Sequence, residues 1–448
     1  MPIPLSIWTP ARASFLHPPH RKRIPPRVAG VVLLAISLCR AVAAQTPPLL
    51  PPLTLQAALH EAEKRSHALE AQDAATQSAR ELAVAAGRLP DPMLRLSVDN
   101  LPVDGPMRFS LTQDFMTMRS VGLTQTLTRE DKRRARSARF EREGDAAQAM
   151  RVMQLTALQR QTTLAWFDRH YQQQMVDLLT RQRDEAALQI EATETAYRAG
   201  RGSQADVFAA RSAVARIEDR IQEARDRHAN AGISLARWVG DAASGPLGEA
   251  PRVTHTRMAA PVPGSGVDQI PDIALMASKE AVALAEVEVA RQEKRTDWSV
   301  SFMYSHRGPA FSDMVSVGVS VPLQWDQKNR QERELSAKLA KAEQVRAERE
   351  EVVRERMAQM QRWRTSWQSR LVRLDDYDHH LIPLAGERTL AALSAYRGGK
   401  SPLSAVLEAR RVEIDTRVER LRIEMETAAL WTELEFLMPV TLLQEKTQ

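Results

Sequence analysis

The segment Asp375–His380, with the sequence DDYDHH, carries a dense group of potential metal ligands. Asp376 and His380 are four residues apart, so a helix would place both side chains on one face, where they could bind a transition metal. A solvated, charged helix face explains the same spacing. We favour the solvated face as the interpretation of this segment.

Soft metal ligands and catalytic groups are the other chemistry to consider. Met107, Met116 and Met118 could bind Cu(I) through their thioethers, although flexible apolar packing is the more common role of methionine. The sequence contains no phosphate-binding glycine-rich loop, no HExxH and no Gly-x-Ser-x-Gly. We therefore predict that the protein is not an enzyme, with no catalytic residues, no cofactor and no metal site.

The basic character of the chain resides in its first 44 residues. They contain six of the 62 Lys and Arg residues and none of the 56 Asp and Glu residues, so the remainder has no net charge. We therefore expect no nucleic-acid partner. A basic segment precedes the apolar run Val28–Leu38 and the small residues AVAA, which predicts a signal peptide over residues 1–44.

The only cysteine, Cys39, lies inside this predicted leader. Cleavage with lipid attachment at Cys39 is an alternative, but the bulky Leu38 precedes the cysteine where a small residue is expected. The mature chain is therefore predicted to have no thiol and no disulfide.

One sixteen-residue segment occurs twice in the chain. Ala196–Arg211 reads AYRAGRGSQADVFAAR, and Ala395–Arg410, which lies 199 residues later, reads AYRGGKSPLSAVLEAR. Seven of the sixteen positions are identical. Each copy places glycine and serine between two helical patterns, so each predicts a tight helix-turn-helix.

The flanks of the two turns also repeat, which predicts two units of helix, strand, strand, long helix, turn and helix. In the first unit the predicted elements are a helix from Thr54 to Gly87, strands within 93–100 and 116–127, and helices from Glu130 to Tyr197 and from Gln204 to Val239. In the second they are a helix from Asp272 to Lys294, strands within 298–306 and 313–323, a helix from Gln327 to Arg397 and a return helix to Leu437.

The domain boundaries follow from this order. We predict a signal peptide (1–44), a Pro-rich linker (45–53), a first repeat (54–240), a loop (241–270), a second repeat (271–438) and a C-terminal tail (439–448).

The alternating strands decide between two classes of protein. A soluble coiled-coil scaffold would explain the long charged helices but not four strands with one apolar face. Four strands cannot close a barrel, whereas three copies would supply twelve, with the apolar face towards lipid. Trp298 and Trp325 bracket the second pair of strands, where aromatic residues are expected at the membrane interface.

The order of elements and the repeated turn resemble the TolC-type outer-membrane efflux family over about Leu53–Leu437. The family's turn pattern is matched by Tyr197, Gly200, Asp206, Val207 and Ala210 in the first copy, and by Tyr396, Gly399, Val406, Leu407 and Ala409 in the second. The fold class that this implies is mainly α with a membrane β-barrel portion. A homotrimer would form a 12-stranded barrel in the outer membrane and a long periplasmic α-barrel.

The resemblance also implies partners and functional residues. It implies an exit duct in outer-membrane lipid that docks onto a periplasmic adaptor and an inner-membrane RND pump. The implied docking and gating residues are Tyr197, Arg198, Gly200, Asp206, Val207, Tyr396, Arg397, Gly399, Val406 and Leu407. Asp206 and Glu408 are candidate pore acids, although Asp206 is also suited to cap a helix, and a second family acid is replaced here by Ala405.

The cargo is a narrower prediction. The segment from Leu89 to Arg136 looks most similar to the heavy-metal branch of the family, which serves pumps for copper and silver or for cobalt, zinc and cadmium. Drug efflux and type I secretion are the alternative roles of such a channel.

Overall fold

The structure is a computed structural model that describes residues 51–258 and 264–439. The predicted leader with Cys39, most of the Pro-rich linker and most of the C-terminal tail lie outside these residues. Within the described part, no helix combines the length and the apolar character needed to cross a bilayer.

Each half of the described chain contains helices, two strands, a long helix and a return helix. In the first half these are α1 (Leu55–Lys64), α2 (His67–Ala86), β1 (Met93–Asp99), β2 (Met118–Leu127), α3 (Glu130–Arg198) and α4 (Gln204–Val239), followed by a 3₁₀ turn (Gly240–Ser244). In the second they are α5 (Gly264–Val267), α6 (Pro271–Glu293), β3 (Trp298–His306), β4 (Met314–Ser320), α7 (Gln331–Asp376), a π-helical segment (Tyr377–Leu381), α8 (Ile382–Arg397) and α9 (Leu403–Glu435). The predicted order of strands and long helices is confirmed.

Two of the predicted helices are interrupted. The first helix divides after Lys64, because Ser66 adopts an extended conformation and its hydroxyl accepts the Leu69 N–H at 3.4 Å, which starts a new helix. The second long helix widens into the π-helical segment just before Pro383. Proline has no N–H and its ring excludes the carbonyl four residues earlier, so a regular α-helix cannot continue through this turn.

The four strands form one antiparallel sheet in the order β1, β2, β3, β4. The pairing between β2 and β3 joins the two halves, with Val121 opposite Tyr304 and Leu127 opposite Trp298. Both outer strands, β1 and β4, have one edge without a partner in the described chain. Along the chain, β2 leads directly into α3, and β4 leads through residues 321–330 to α7.

The long helices pack through separate apolar clusters along their length. Near the middle of α3, Trp166, Phe167 and Tyr171 pack with Trp431 of α9. Nearer the turns, a second cluster joins α3, α4 and α9 through side chains that include Ile217 of α4. With 69 residues at about 1.5 Å each, α3 is roughly 100 Å long. It therefore connects the sheet to the repeated turn.

Candidate functional site

The first repeated turn closes α3 by a backbone hydrogen-bond pattern that requires glycine. The Arg201 N–H donates to the Ala196 carbonyl at 2.9 Å, and the Gly200 N–H donates to the Tyr197 carbonyl at 3.0 Å. Gly200 has φ +70°, in the left-handed region that other residues enter at a cost. This is the helix end with a left-handed residue that the sequence predicts.

The second turn repeats these bonds 199 residues later. The Lys400 N–H donates to the Ala395 carbonyl at 2.8 Å, and the Gly399 N–H donates to the Tyr396 carbonyl at 3.0 Å. Gly399 has φ +68°. Sequence identity between the two segments therefore corresponds to equivalent backbone geometry.

The two return helices begin differently. At α4 the Ser203 hydroxyl accepts the Asp206 N–H at 3.2 Å, and the Asp206 carboxylate accepts the Ser203 N–H at 3.0 Å. The Ser203 hydroxyl also donates to the Asp206 carboxylate at 2.7 Å, and this bond, together with the one from the Ser203 N–H, lowers the pKa of Asp206. The equivalent positions before and in α9 are Pro402 and Ala405, and among the described residues no side chain caps that helix.

The valines that the two turns share lie within the helix packing. Val207 and Val406, which are equivalent in the two copies, are both buried. Leu407 is half-buried. Tyr197 is 48% exposed, whereas Tyr396 is half-buried, so the first tyrosine is the more available for contact with another molecule.

The cations at the turns differ in their partners. Arg198 lies 3.7 Å from Glu194 on its own helix. Arg201, Arg397 and Lys400 make no ion pair with the described residues and are exposed. The ends of the two hairpins therefore present unpaired positive charge to their surroundings.

Glu408 lies in a groove of about 470 Å³ between α4 and α9, close to the turns. The groove also carries Arg410, which ends the second repeated segment, and three further basic side chains, Arg216, Arg220 and Arg411. Arg220 bridges the two return helices through an ion pair with Asp415 at 2.9 Å. The spacing of Arg216 and Arg220 by four residues on one helix was the available sequence signal. Glu408 is thus an acid in a largely basic groove.

The sheet separates apolar and polar side chains by face. On one face the strands expose apolar residues, including Leu96 and Val317 at 71% each. On the other, Ser120 and Ser305 form a buried hydroxyl pair at 2.9 Å. Trp298 and Trp325 are both exposed, at 55% and 88%. One face is therefore suited to an apolar environment and the other to water.

The acidic and histidine segment DDYDHH overlaps the end of α7 and the π-helical segment. His380 Nδ1 and Asp376 Oδ1 are 3.0 Å apart, so these two side chains bind each other. The Asp378 carboxylate accepts two hydrogen bonds from the Arg420 guanidinium, from Nε at 2.9 Å and from Nη2 at 3.0 Å. Within the part of the chain that the structure describes, no three potential ligands come together in a metal-binding group.

Comparison with known proteins relates the chain to outer-membrane channels. Residues 58–241 match the family described as outer membrane efflux protein. Comparison with curated protein sequences gives no match.

Solved structures match over most of the chain. The outer-membrane channel OprN has a TM-score of 0.73 at 18% identity and covers 86% of this chain and 90% of its own. The outer membrane protein VceC from Vibrio cholerae has a TM-score of 0.70 at 18% identity and covers 86% of this chain and 95% of its own. CusC, described as forming a transmembrane channel, has a TM-score of 0.69 at 15% identity and covers 85% of this chain and 91% of its own. The chain therefore has the fold of these channels, and its first half carries the family's sequence pattern.

Proposed function

We propose that this chain, which has the fold of the outer-membrane efflux channels and matches their family over residues 58–241, is the exit duct of a tripartite efflux system in the outer membrane. Proteins of this family are conduits and not enzymes. In this proposal two repeats, residues 54–240 and 271–438, form one third of a trimeric channel. The observation that carries it is a sheet with one exposed apolar face and two edges without a partner in the described chain, continuous with a helix roughly 100 Å long.

The sheet supports assembly within lipid. An apolar face of this extent, on a sheet with free edges, is unfavourable in water and favours association. Three copies would supply twelve strands and leave no open edge. The serine-rich face would then line the interior. Trp298 and Trp325 would lie at the boundary between lipid and water, where indole rings are favoured.

The helix-turn-helix ends support the docking part of the proposal. The unpaired cations Arg201, Arg397 and Lys400, together with the exposed Tyr197, form a polar and aromatic end surface that suits a protein partner. We propose that a periplasmic adaptor contacts this surface and that an inner-membrane RND pump supplies the cargo. The proposed gate is a shift of the hairpin ends between closed and open arrangements, which a bound partner would bias.

Heavy-metal cations are the proposed cargo, because the segment from Leu89 to Arg136 resembles the heavy-metal branch of the family. Drug efflux and type I secretion remain the competing roles, and the duct itself does not choose between them. Deleting the gene and measuring tolerance to copper, silver, cobalt, zinc and cadmium beside a panel of antibiotics tests this part. Loss of antibiotic tolerance alone would contradict the metal assignment.

Electrical recording tests the channel itself. The full-length protein purified in detergent and inserted into a planar bilayer is expected to give discrete conductance steps. Native mass spectrometry of the same sample should give a trimer. A protein that remains in the aqueous fraction as a monomer would instead favour the soluble scaffold and contradict the channel.

A further inference from the structure

A buried lysine joins the two halves of the chain where the sheet meets the helices. Lys132, in the first turn of α3, is only 4% exposed. Its ammonium lies 2.9 Å from the Asp297 carboxylate, 3.0 Å from Glu293 and 3.1 Å from the Arg295 carbonyl. Asp297 also accepts the Arg129 N–H at 3.1 Å. A buried charge requires such partners, so this contact specifies how the halves meet.

The pairing of the strands identifies the equivalent residues in the other joint. Met93 lies opposite Thr124, and Ser299 lies opposite Ser320. Since Thr124 and Ser320 are equivalent in the repeat, with a shift of 196, Met93 is equivalent to Ser299, with a shift of 206. These shifts make Lys328 the equivalent of Lys132, and Asp91 the equivalent of Asp297.

The second pair is present but separated. Lys328 and Asp91 are both exposed, and neither makes an ion pair or a side-chain hydrogen bond with the described residues. Lys328 follows β4 in the chain, and Asp91 precedes β1, and these two strands form the free edges of the sheet. One chain therefore carries a complete contact at its internal junction and the two unmatched halves of the same contact at its outer edges.

We infer that Lys328 of one copy binds Asp91 of the neighbouring copy, so that the intersubunit joint reproduces the internal joint between Lys132 and Asp297. The inference deepens the proposed function and rests on the proposed closed trimer. Leu89, the equivalent of Arg295, supplies the carbonyl. Glu293 has Gly87 as its equivalent, so the intersubunit contact has one carboxylate where the internal contact has two.

The same shifts fix the register of the strands across the joint. Val121 lies opposite Tyr304 inside the chain, so Val317 of one copy lies opposite Val98 of the next. Val319 then lies opposite Leu96, and both belong to the exposed apolar face. Ser316 lies opposite Asp99, where a serine hydroxyl and a carboxylate form a hydrogen bond. The register therefore matches apolar with apolar and polar with polar side chains.

Charge reversal tests the bridge in the full-length protein. Lys328→Asp and Asp91→Lys each place like charges together at all three joints, so each is expected to lower the temperature at which the trimer dissociates in detergent. The double variant Asp91→Lys with Lys328→Asp restores the opposite charges and should recover much of this loss. Lys341→Asp, on an exposed α7 residue whose ammonium contacts Gln344, is the matched control and should leave the dissociation temperature unchanged.

Disulfide formation tests the register, since opposite strand residues come within disulfide range and the mature chain is predicted to lack cysteine. Val98→Cys with Val317→Cys should give covalent dimers and trimers on a non-reducing gel, whereas Val98→Cys with Val315→Cys should not. The internal pair Val121→Cys with Tyr304→Cys should cross-link within one chain and leave its mass unchanged.

The outcomes separate the two levels of the proposal. A trimer whose single charge variants dissociate at the wild-type temperature would overturn the bridge and leave the channel intact. A trimer that cross-links only in the shifted pair would overturn the register. A wild-type protein that is monomeric in detergent would instead contradict the proposed channel.

Discussion

Trp166 of α3 and Trp367 of α7 make the same kind of hydrogen bond in the two halves of the chain. The indole N–H of Trp166 donates to the Leu53 carbonyl at 3.0 Å, and that of Trp367 donates to the Val253 carbonyl, also at 3.0 Å. Leu53 lies just before α1, and Val253 lies in the segment between the 3₁₀ turn and α5. In both halves a tryptophan of the long helix therefore binds a connecting segment.

The two tryptophans fix these connecting segments against the middle of the long helices. Leu53 also forms a backbone bridge with Leu247, whose neighbour Gly248 donates its N–H to the Leu53 carbonyl at 3.0 Å. Trp431 makes a third contact of this type, with its indole N–H 2.7 Å from the His255 carbonyl. The segments thus satisfy their backbone polar groups through helix side chains.

Replacing either tryptophan by phenylalanine should destabilise the fold by a similar amount. Each change removes one donor from a backbone carbonyl, although the Leu53 carbonyl keeps the Gly248 N–H, and each removes part of a packed ring. We therefore expect a loss of about 2 kcal/mol for Trp166→Phe and for Trp367→Phe. Trp325→Phe, at an 88% exposed position, is the control and should change stability by less than about 0.5 kcal/mol. Thermal unfolding followed by circular dichroism measures all three, and equal midpoints for the three variants would contradict the assignment.

Much of the fold could be predicted from the sequence because its signals are local. Strict alternation marks the strands, and a run without proline marks α3. The repeated glycine in a left-handed conformation marks each turn, and Gly200 and Gly399 both have positive φ as expected. The order of elements follows directly, since each signal depends on a few neighbouring residues.

The remaining features depend on contacts between distant segments and had weaker signals. Trp166 and Leu53 are 113 residues apart, and only the folded chain brings them together. The arginines of the groove come from α4 and α9, so no single segment reveals that they lie together. Pro383 indicates that a regular α-helix is interrupted near this position, but the helical pattern continues on both sides of it and favours one unbroken helix.

Adding a methyl group to Gly399 should destabilise the second turn, whereas the same change at Gly398 should not. Gly399 has φ +68°, where a Cβ costs about 1–2 kcal/mol although, apart from the chain neighbours, no described residue lies within 4 Å of it. Gly398 has an ordinary φ of −79°, and its added Cβ would contact the Ser394 carbonyl at 3.5 Å. Hydrogen exchange at the Lys400 amide should therefore accelerate in Gly399→Ala only. Equal acceleration in both variants would indicate steric crowding instead of backbone strain.

Removing the cap of α4 should expose its first turn. Ser203→Ala loses the acceptor for the Asp206 N–H and is expected to cost about 1 kcal/mol. The hydrogen bonds that Ser203 donates to the Asp206 carboxylate lower its pKa. The stabilisation from these bonds is therefore present above the ordinary carboxylate pKa and is lost as the pH falls through the lowered pKa of Asp206. Hydrogen exchange of the first amides of α4 measures the effect at neutral pH. Gln204→Ala, at the next exposed position, is the matched control, and identical exchange in both variants would contradict a capping role.

Acidification should weaken the middle of the helical region. Burial lowers the pKa of His170, which stacks on Trp166 with ring centroids 5.2 Å apart, and burial together with Arg169 lowers the pKa of His228. The unfolded chain therefore binds protons first, so stability is full above the ordinary histidine pKa and falls as the pH decreases below it. The unfolding midpoint should drop between pH 7.5 and 5. His170→Gln with His228→Gln should reduce this drop, whereas His67→Gln, at an exposed position, should not.

Glu408, which lines the groove between α4 and α9, allows a test of ion selectivity in the proposed channel. If Glu408 faces the conducting path of the proposed trimer, Glu408→Lys changes the charge at one level of the path by roughly six elementary charges and should reduce the preference for cations. The effect should be large at 0.01 M salt, where the screening length is about 30 Å, and small at 1 M, where it is about 3 Å. Glu141→Lys, at an exposed position near the sheet end of α3, is the matched control. Planar-bilayer reversal potentials measure the preference. An unchanged reversal potential at both salt concentrations, in a variant that still forms trimers, would assign Glu408 to the arginine groove, where it would contribute to packing or partner binding and not to conduction.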